Sequence, residues 1–330
     1  MSPVSKPRLS ERPVVAVVGA TGLVGETLLG ILEQRKFPVA RLLALSSARS
    51  AGTSVRFGGR EWPVVEASVA ALRGAELVFF AATGELSKTL APAAVAQGAV
   101  VVDKSSTWRM DARVPLVVPE INSQALVAGA DLIACPNCTT IGLVMALEPL
   151  RRAAGLAHVV VTTLQAASGA GREGLDELAG APPRVFARPL DRNVLPQCDK
   201  IVEDGFTAEE IKLRDETRKI LGLPSLPVTA TCVRVPVAVG HSATVLVETE
   251  RELAPADALA ALRAFPGVRV QEGTGYATPL EVAGSDEVFV GRVRRDPTHP
   301  RRLWLWCVVD NIRKGAATNA VQIAEALRAT

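Results

Sequence analysis

No block of lysine and arginine, and no stripe of basic and aromatic side chains, occurs in the 330 residues, and the formal net charge is only +3. A nucleic-acid partner is therefore not expected. Every apolar run is broken by glycine, proline or a charge before about 18 residues, so no membrane span is expected either. Cysteine is scarce: positions 135, 138, 198, 232 and 307 are an odd, scattered set, which argues against a disulfide framework and for a reducing, cytoplasmic setting. Only Cys135 and Cys138 lie close together. No histidine is near enough to complete a zinc pattern with them, and no metal is expected. Internal repeats and low-complexity segments are absent. Residues 1–13 carry Pro3, Pro7 and Pro13 without an apolar core, which reads as a loose leader rather than a signal peptide.

What is present describes a folded, soluble globular chain: 48% hydrophobic and 22% charged. A chain of this length is long for one core, so two domains are expected. Val14 to Val18 is a β-branched run, the mark of a strand buried on both faces. It leads into Gly19-Ala20-Thr21-Gly22-Leu23-Val24-Gly25 and then into helical spacing over Glu26 to Gln34. Glycines at 19, 22 and 25 allow a tight turn, close approach of backbone to a pyrophosphate, and a helix N-terminus aimed at it. After a second strand, Leu42 to Leu45, comes Ser46-Ser47-Ala48-Arg49-Ser50. Hydroxyls and an arginine, where an NAD site would usually carry a carboxylate, suit the 2′-phosphate of NADP. Read alone, Arg49 is equally a solvated loop residue. Further strands at Leu77 to Ala81 and Ala99 to Asp103, with a helix from Leu86 to Ala96 between them, predict a parallel, doubly wound sheet. Arg109, in the loop after the last of these, is a candidate anion clamp, or a surface salt-bridge partner.

Ala134-Cys135-Pro136-Asn137-Cys138-Thr139-Thr140 is the stretch placed for chemistry. A strand end, Leu132 to Ala134, and a turn precede an apolar helix from Thr139 to Leu147. Cys138 would then meet unpaired backbone N–H groups and the positive end of a helix dipole, which favour a thiolate. Asn137 could donate to an oxyanion. Two other readings stay open at this point: a buried, inert thiol, and a C-x-x-C redox pair.

The pattern changes after about residue 157. Val159 to Leu164 reads as a strand that ends in Gln165 and the small-residue loop Ala166 to Gly171. Gln165 could orient the thiol or face solvent. Thr207-Ala208-Glu209-Glu210 is a capping box that starts a helix to about Leu221. Glu209 and Lys212 share its face, able to hold an ammonium and an anion, or simply paired in solvent. Strands at Thr229 to Val235 and Ser242 to Glu250 flank His241, a candidate general base. Arg234 is a candidate carboxylate clamp. His158 and His299 fit structural or solvated roles better. A strand, Leu303 to Val309, and a closing helix, Ala316 to Ala329, complete the chain.

GATGLVG (19–25), SSARSAG (46–52), KSSTWRM (104–110), CPNCTT (135–140), QAASGAG (165–171), FTAEEIKLRDETRKIL (206–221), RVPVAVGHS (234–242) and NIRKGAATNA (311–320) together resemble the aspartate-β-semialdehyde dehydrogenase family. The resemblance covers nearly the whole chain. It implies an α/β protein with a Rossmann-type NADP-binding domain over 1–137, onto which a C-terminal helix (315–330) packs. An α+β catalytic and dimerisation domain with a mixed sheet is implied over 138–314, in a cytoplasmic homodimer. By motif, Cys138 is the nucleophile, Gln165 orients the reacting groups and His241 is the acid/base. Arg234 binds the substrate carboxylate and Glu209 its ammonium, while Arg109, Lys212 and Asn137 line the phosphate site. Gly19, Thr21, Gly22, Leu23, Val24, Ser46, Ser47, Arg49, Ser168, Gly169 and Asn311 fall to the cofactor.

The implied reaction is NADPH-dependent reductive dephosphorylation of β-aspartyl phosphate to aspartate β-semialdehyde, with release of phosphate, in the aspartate-derived synthesis of lysine, threonine and methionine. One departure from the family pattern is Ala81-Ala82-Thr83-Gly84, where a second glycine would be expected. Two alternatives accompany this reading. An N-acetyl-γ-glutamyl-phosphate reductase would not need Glu209 for a free ammonium. A non-catalytic paralogue should have lost Cys138, Gln165, Arg234 or His241.

Overall fold

The computed structural model describes residues 9–329, so residues 1–8 of the expected leader lie outside the described residues. The chain forms two compact units, one from the residues up to Pro136 together with those from Ala316 onward, the other Asn137–Gly315.

The first unit opens with β1 (Val14–Val18), α1 (Leu23–Gln34), β2 (Arg41–Ser46), β3 (Ser54–Phe57) and β4 (Arg60–Glu66). It continues with β5 (Leu77–Phe80), α2 (Gly84–Ala96), β6 (Val100–Asp103), α3 (Pro119–Asn122) and β7 (Leu132–Ala134). These strands make a seven-stranded sheet in the order β3-β4-β2-β1-β5-β6-β7. β1, β5 and β6 are buried along almost their whole length, as strands covered on both faces must be. Every neighbouring pair is parallel except the β3–β4 hairpin, an antiparallel edge that the doubly wound expectation lacked. The strand order reverses beside β1, where chain from β2 goes one way and chain from β5 the other. That is the switch point at which open α/β sheets bind ligands.

The second unit begins with α4 (Cys138–Ala154), β8 (His158–Gln165), α5 (Gly171–Leu178), α6 (Ala208–Leu221), β9 (Val228–Arg234) and β10 (His241–Glu248). It ends with α7 (Pro255–Arg263), β11 (Val268–Val270), α8 (Pro279–Val282), β12 (Val288–Arg295) and β13 (Arg302–Val309). Its six-stranded sheet has the order β11-β12-β13-β10-β8-β9 and is mixed, with β8–β9 and β11–β12 parallel and the other pairs antiparallel. Alternation along β8 sends Val159, Val161, Thr163 and Gln165 inward, onto the face that α4, α6 and α7 cover. The opposite face carries Thr162, Thr231 and Thr244 in register with Trp306, and is half open to solvent.

α9 (Thr318–Ala329) returns to the first unit, where it packs on α1, α3 and β6. Arg35 grips Glu325 through two hydrogen bonds of 2.8 and 2.6 Å, and Asn319 Nδ2 donates to the Val117 carbonyl at 3.0 Å. The helix starts two residues later than expected because Arg313–Ala317 forms a π-type turn.

Candidate active site

In the first unit the glycine loop is built for close approach. Gly19 has φ +88°, and a Cβ there would lie 2.3 Å from the Ala81 carbonyl oxygen; one on Gly25 would lie 2.1 Å from the Gly19 oxygen. Only hydrogen fits at either place. Gly22 caps α1 without a side chain, so no side-chain oxygen covers the first N–H groups of Leu23 and Val24. Thr21 and Ser46 hydroxyls meet at 2.7 Å, joining this loop to the end of β2. Ser47 and Arg49 stand exposed just beyond. In the Ala81-Ala82-Thr83-Gly84 loop, which lacks the second glycine of the family pattern, Thr83 caps α2, its hydroxyl accepting from the Leu86 N–H. Arg109 is not a surface residue: its guanidinium is buried and donates to the carbonyls of Cys135 (3.1 Å) and Lys104 (2.7 Å).

In the second unit Cys138 is the first residue of α4, half-buried, and Asn137 is the N-cap. Asn137 Oδ1 accepts from the N–H groups of Thr139 and Thr140 at 2.8 and 3.3 Å. Its own N–H donates to Glu216 Oε2 at 2.7 Å, and its Nδ2 donates to Glu209 Oε1 at 2.9 Å. This corrects one expectation. The helix end is not a set of unpaired N–H groups, because Asn137, Thr139 and Thr140 are already satisfied; the dipole remains as its attraction for an anion. The Asn137 amide gives one of its two N–H groups to Glu209.

The ends of three neighbouring strands supply the rest. Gln165 and Arg234 are register partners at the ends of β8 and β9, and His241 begins β10 rather than preceding it. Gln165 is buried and points inward, with Nε2 near Thr163 Oγ1 (3.3 Å) and Glu209 Oε1 (3.4 Å), so the solvent-facing reading fails. Ala166 links the other two: its carbonyl accepts from Arg234 Nη1 at 2.7 Å, and its N–H donates to His241 Nδ1 at 3.0 Å. With Nδ1 accepting, the proton of the neutral imidazole sits on Nε2. His241 is 2% exposed, and burial first, then the charge of Arg234, push it well below the ordinary histidine range. Its Nε2 and Arg234 Nε are buried without a protein hydrogen-bond partner. Gly169 allows this crowding, since a Cβ there would come within 2.7 Å of Arg234 Nη1 and 3.1 Å of His241 Nε2. Asn311 joins the same loops, bonding to Ser168 Oγ and accepting from the Gly240 N–H at 2.9 Å.

The capping box of α6 forms as read, with Thr207 and Glu210 exchanging bonds. Glu209 and Lys212 do pair, at 3.3 Å, yet Glu209 is buried rather than solvated. Lys212 also reaches Asp199 at 2.6 Å. Burial alone would lower the Lys212 ammonium, but Glu209 and Asp199 outweigh it and hold it above its ordinary value.

The other thiols are poor nucleophiles. Burial pushes Cys198 and Cys307 up to about 12, and Cys232 higher still. Cys135 is 0% exposed and its sulfur receives Asn319 Nδ2 at 3.3 Å, so the dithiol reading fails. Sequence reasoning missed Glu216, Ala166 and Gly315. A Cβ on Gly315 would lie 3.1 Å from that of Cys138, and the motif NIRKGAATNA contained this glycine without showing what it packs against.

The first unit thus carries a glycine-cradled sheet switch point, and the second a mixed sheet with glutamine, arginine and histidine at its strand ends and a cysteine at the head of a helix. Residues 14–128 match the family model for the semialdehyde dehydrogenase NAD binding domain, and residues 147–314 match that for the dimerisation domain. The chain is 44% identical over 335 residues to the aspartate-semialdehyde dehydrogenase of Bacillus subtilis, covering 95% of this chain and 97% of that one. It is 45% identical to that of Aquifex aeolicus, covering 95% and 97%. Aspartate semialdehyde dehydrogenase II of Vibrio cholerae, crystallised in complex with ASA, superposes with a TM-score of 0.93 at 42% identity, covering 96% of this chain and 98% of that one. The chain belongs to the aspartate-semialdehyde dehydrogenase family.

Proposed function

We propose that the protein reduces β-aspartyl phosphate to aspartate β-semialdehyde with NADPH, through a thioester on Cys138. The observation that carries this is Cys138 itself: of the five cysteines it alone is not buried, and it heads a helix whose N-cap, Asn137, is bonded to Glu209. The Cys138 thiolate attacks the acyl carbon, a C–S bond forms, and the C–O bond to phosphate breaks with its electron pair leaving on phosphate. The reduced nicotinamide, when bound, supplies hydride to the thioester carbon. The thiohemiacetal oxyanion then collapses, returning the C–S electron pair to sulfur. The one proton consumed goes to the departed phosphate. The carbonyl oxygen therefore needs a hydrogen-bond donor at each tetrahedral stage, and no net proton. His241 Nε2–H suits that role better than the acid/base role implied by the family, because the Ala166 N–H occupies Nδ1 and leaves the proton on Nε2.

Arg234 is matched to the substrate α-carboxylate and the buried Glu209 to its ammonium, with Gln165 orienting the reacting group between them. An acetamido substrate brings no ammonium for the buried Glu209 carboxylate to bind, which disfavours the N-acetyl-γ-glutamyl alternative. Lys212, Arg109 and Asn137 are assigned to the phosphate, with Asn137 exchanging its Glu209 bond to do so.

Gly19, Thr21, Gly22, Leu23, Val24, Ser46, Ser47 and Arg49 would hold the cofactor from the first unit; Ser168, Gly169 and Asn311 are its candidate contacts in the second. NADP is preferred over NAD because Arg49 stands exposed where a carboxylate would repel the 2′-phosphate. The test is a phosphate-dependent assay with aspartate semialdehyde and either oxidised cofactor. We expect NADP+ to be favoured and Arg49→Ala to cut that preference by about 10-fold, the size of one charge-assisted contact. No turnover by folded protein with either cofactor would overturn the assignment.

A homodimer is proposed through the half-open sheet face of the second unit, the region matched to the dimerisation domain. A groove of about 350 Å³ there is lined by Thr244, Tyr276, Arg292, Arg294, Leu305 and Trp306, a mix of aromatic, apolar and arginine side chains of the kind interfaces favour. Thr231→Arg, on the same face, should convert a dimer to a monomer in sedimentation. An unchanged mass would place the interface elsewhere.

A further inference from the structure

Nothing about the activity assigns a role to Glu216, which is 1% exposed on α6. It lies seven residues after Glu209, two helical turns along the same face. Both carboxylates meet one residue of the nucleophile turn: Glu209 Oε1 receives Asn137 Nδ2 at 2.9 Å, and Glu216 Oε2 receives the Asn137 N–H at 2.7 Å. Asn137 in turn caps the helix that Cys138 begins. The two holds differ in kind. Glu209 also faces Gln165 and Lys212 and is the group a substrate ammonium would draw on, so its bond to the Asn137 amide competes with substrate. The Glu216 bond goes to main chain and involves no side chain assigned to substrate.

We infer that Glu216 is a positioning residue: it fixes the Asn137 main chain, and with it the Cys138 sulfur, while Glu209 exchanges Asn137 for substrate. A buried carboxylate is costly to keep; here one of its oxygens accepts from the N–H directly before the nucleophile. This inference rests on the reading of Cys138 as nucleophile, but not on the identity of the substrate.

The experiment is the rate of Cys138 alkylation by iodoacetamide across pH, with no substrate present, alongside kcat and KM in the phosphate-dependent assay. Glu216→Gln offers an amide oxygen of the same reach to the Asn137 N–H and is expected to keep at least half of the alkylation rate and of kcat. Glu216→Asp keeps the charge but falls a methylene short. It is expected to lose about 10-fold in both, with KM for aspartate semialdehyde within about twofold of wild type. Glu148→Gln, a buried carboxylate paired with Arg151 and Arg152 in the body of α4, controls for simple destabilisation and should lower Tm without slowing alkylation. Glu216→Asp matching wild type, or outperforming Glu216→Gln, would overturn the inference. If the alkylation order holds while the substrate assay is silent, the inference stands and the substrate assignment fails.

Discussion

Cys138→Ser should lower turnover by about 10³-fold or more, the loss expected when a nucleophile that acts as one unit with its surroundings is removed. The reason lies in the neighbours as much as in the sulfur. A thiolate needs no base at the moment of attack, whereas a serine hydroxyl does. The base that the family resemblance offers, His241, carries its neutral-state proton on Nε2 because Nδ1 is taken by the Ala166 N–H. Serine would therefore stay protonated and inert. The replacement removes little volume at the first position of α4, so Tm should change little and binding of aspartate semialdehyde should survive. Titration with iodoacetamide gives a second readout: wild type should take up one equivalent per folded chain and Cys138→Ser none, since the other four thiols are buried. Turnover within 10-fold of wild type would refute the thioester route.

His241 should behave as a neutral donor, and three variants separate this from acid–base catalysis. His241→Gln places an amide N–H near the Nε2 position and should hold activity within about 10-fold of wild type. His241→Asn reaches only the Nδ1 position; it can keep the Ala166 bond yet has no donor for the substrate oxygen, and should fall by about 10² to 10³, as should His241→Ala. Wild-type turnover should show no ionisation near 6.5 belonging to this residue, because burial and Arg234 push its pKa well below that value. An acidic limb near pH 6.5 that vanishes in His241→Gln, with the Gln and Asn variants equally inactive, would establish proton transfer instead.

The same shift has a consequence for stability. Below pH 6.5 the unfolded chain protonates this histidine while the native state does not, so the unfolded state binds more protons and stability falls as pH falls. The loss should grow by about 1.4 kcal/mol per pH unit until the depressed native pKa is reached, and be absent above about pH 7. Comparing Tm of wild type and His241→Gln between pH 7 and 5 isolates it. Parallel curves would mean that the imidazole titrates normally in the fold.

Much of the architecture was legible in the chain because the signals are local. A β-branched run followed by three spaced glycines has few other uses, and Gly19 and Gly25 turn out to admit no Cβ. The capping box at Thr207 forms as read, since its four residues carry both donors and acceptors. The β3–β4 hairpin escaped notice: its strands bury alternate residues along an edge and so lack a continuous apolar run. The β11–β12 pair escaped as well, with β11 only three residues long.

For the site, residue types and spacing along the sequence determined which side chains are candidates, because each motif sits at a strand end or helix start that local patterning marks. What those side chains do to one another was settled only by the fold. Gln165 and Arg234 meet across a sheet register. Glu209, on α6, meets the N-cap Asn137 of α4 from 72 residues away. The proton of His241 is placed by the main chain of Ala166, 75 residues away. Hydrogen-bond partners at such separations leave no periodicity in a sequence, so the thiol's position, the imidazole's tautomer and the hold of Glu216 on the nucleophile turn exist only once the chain is packed.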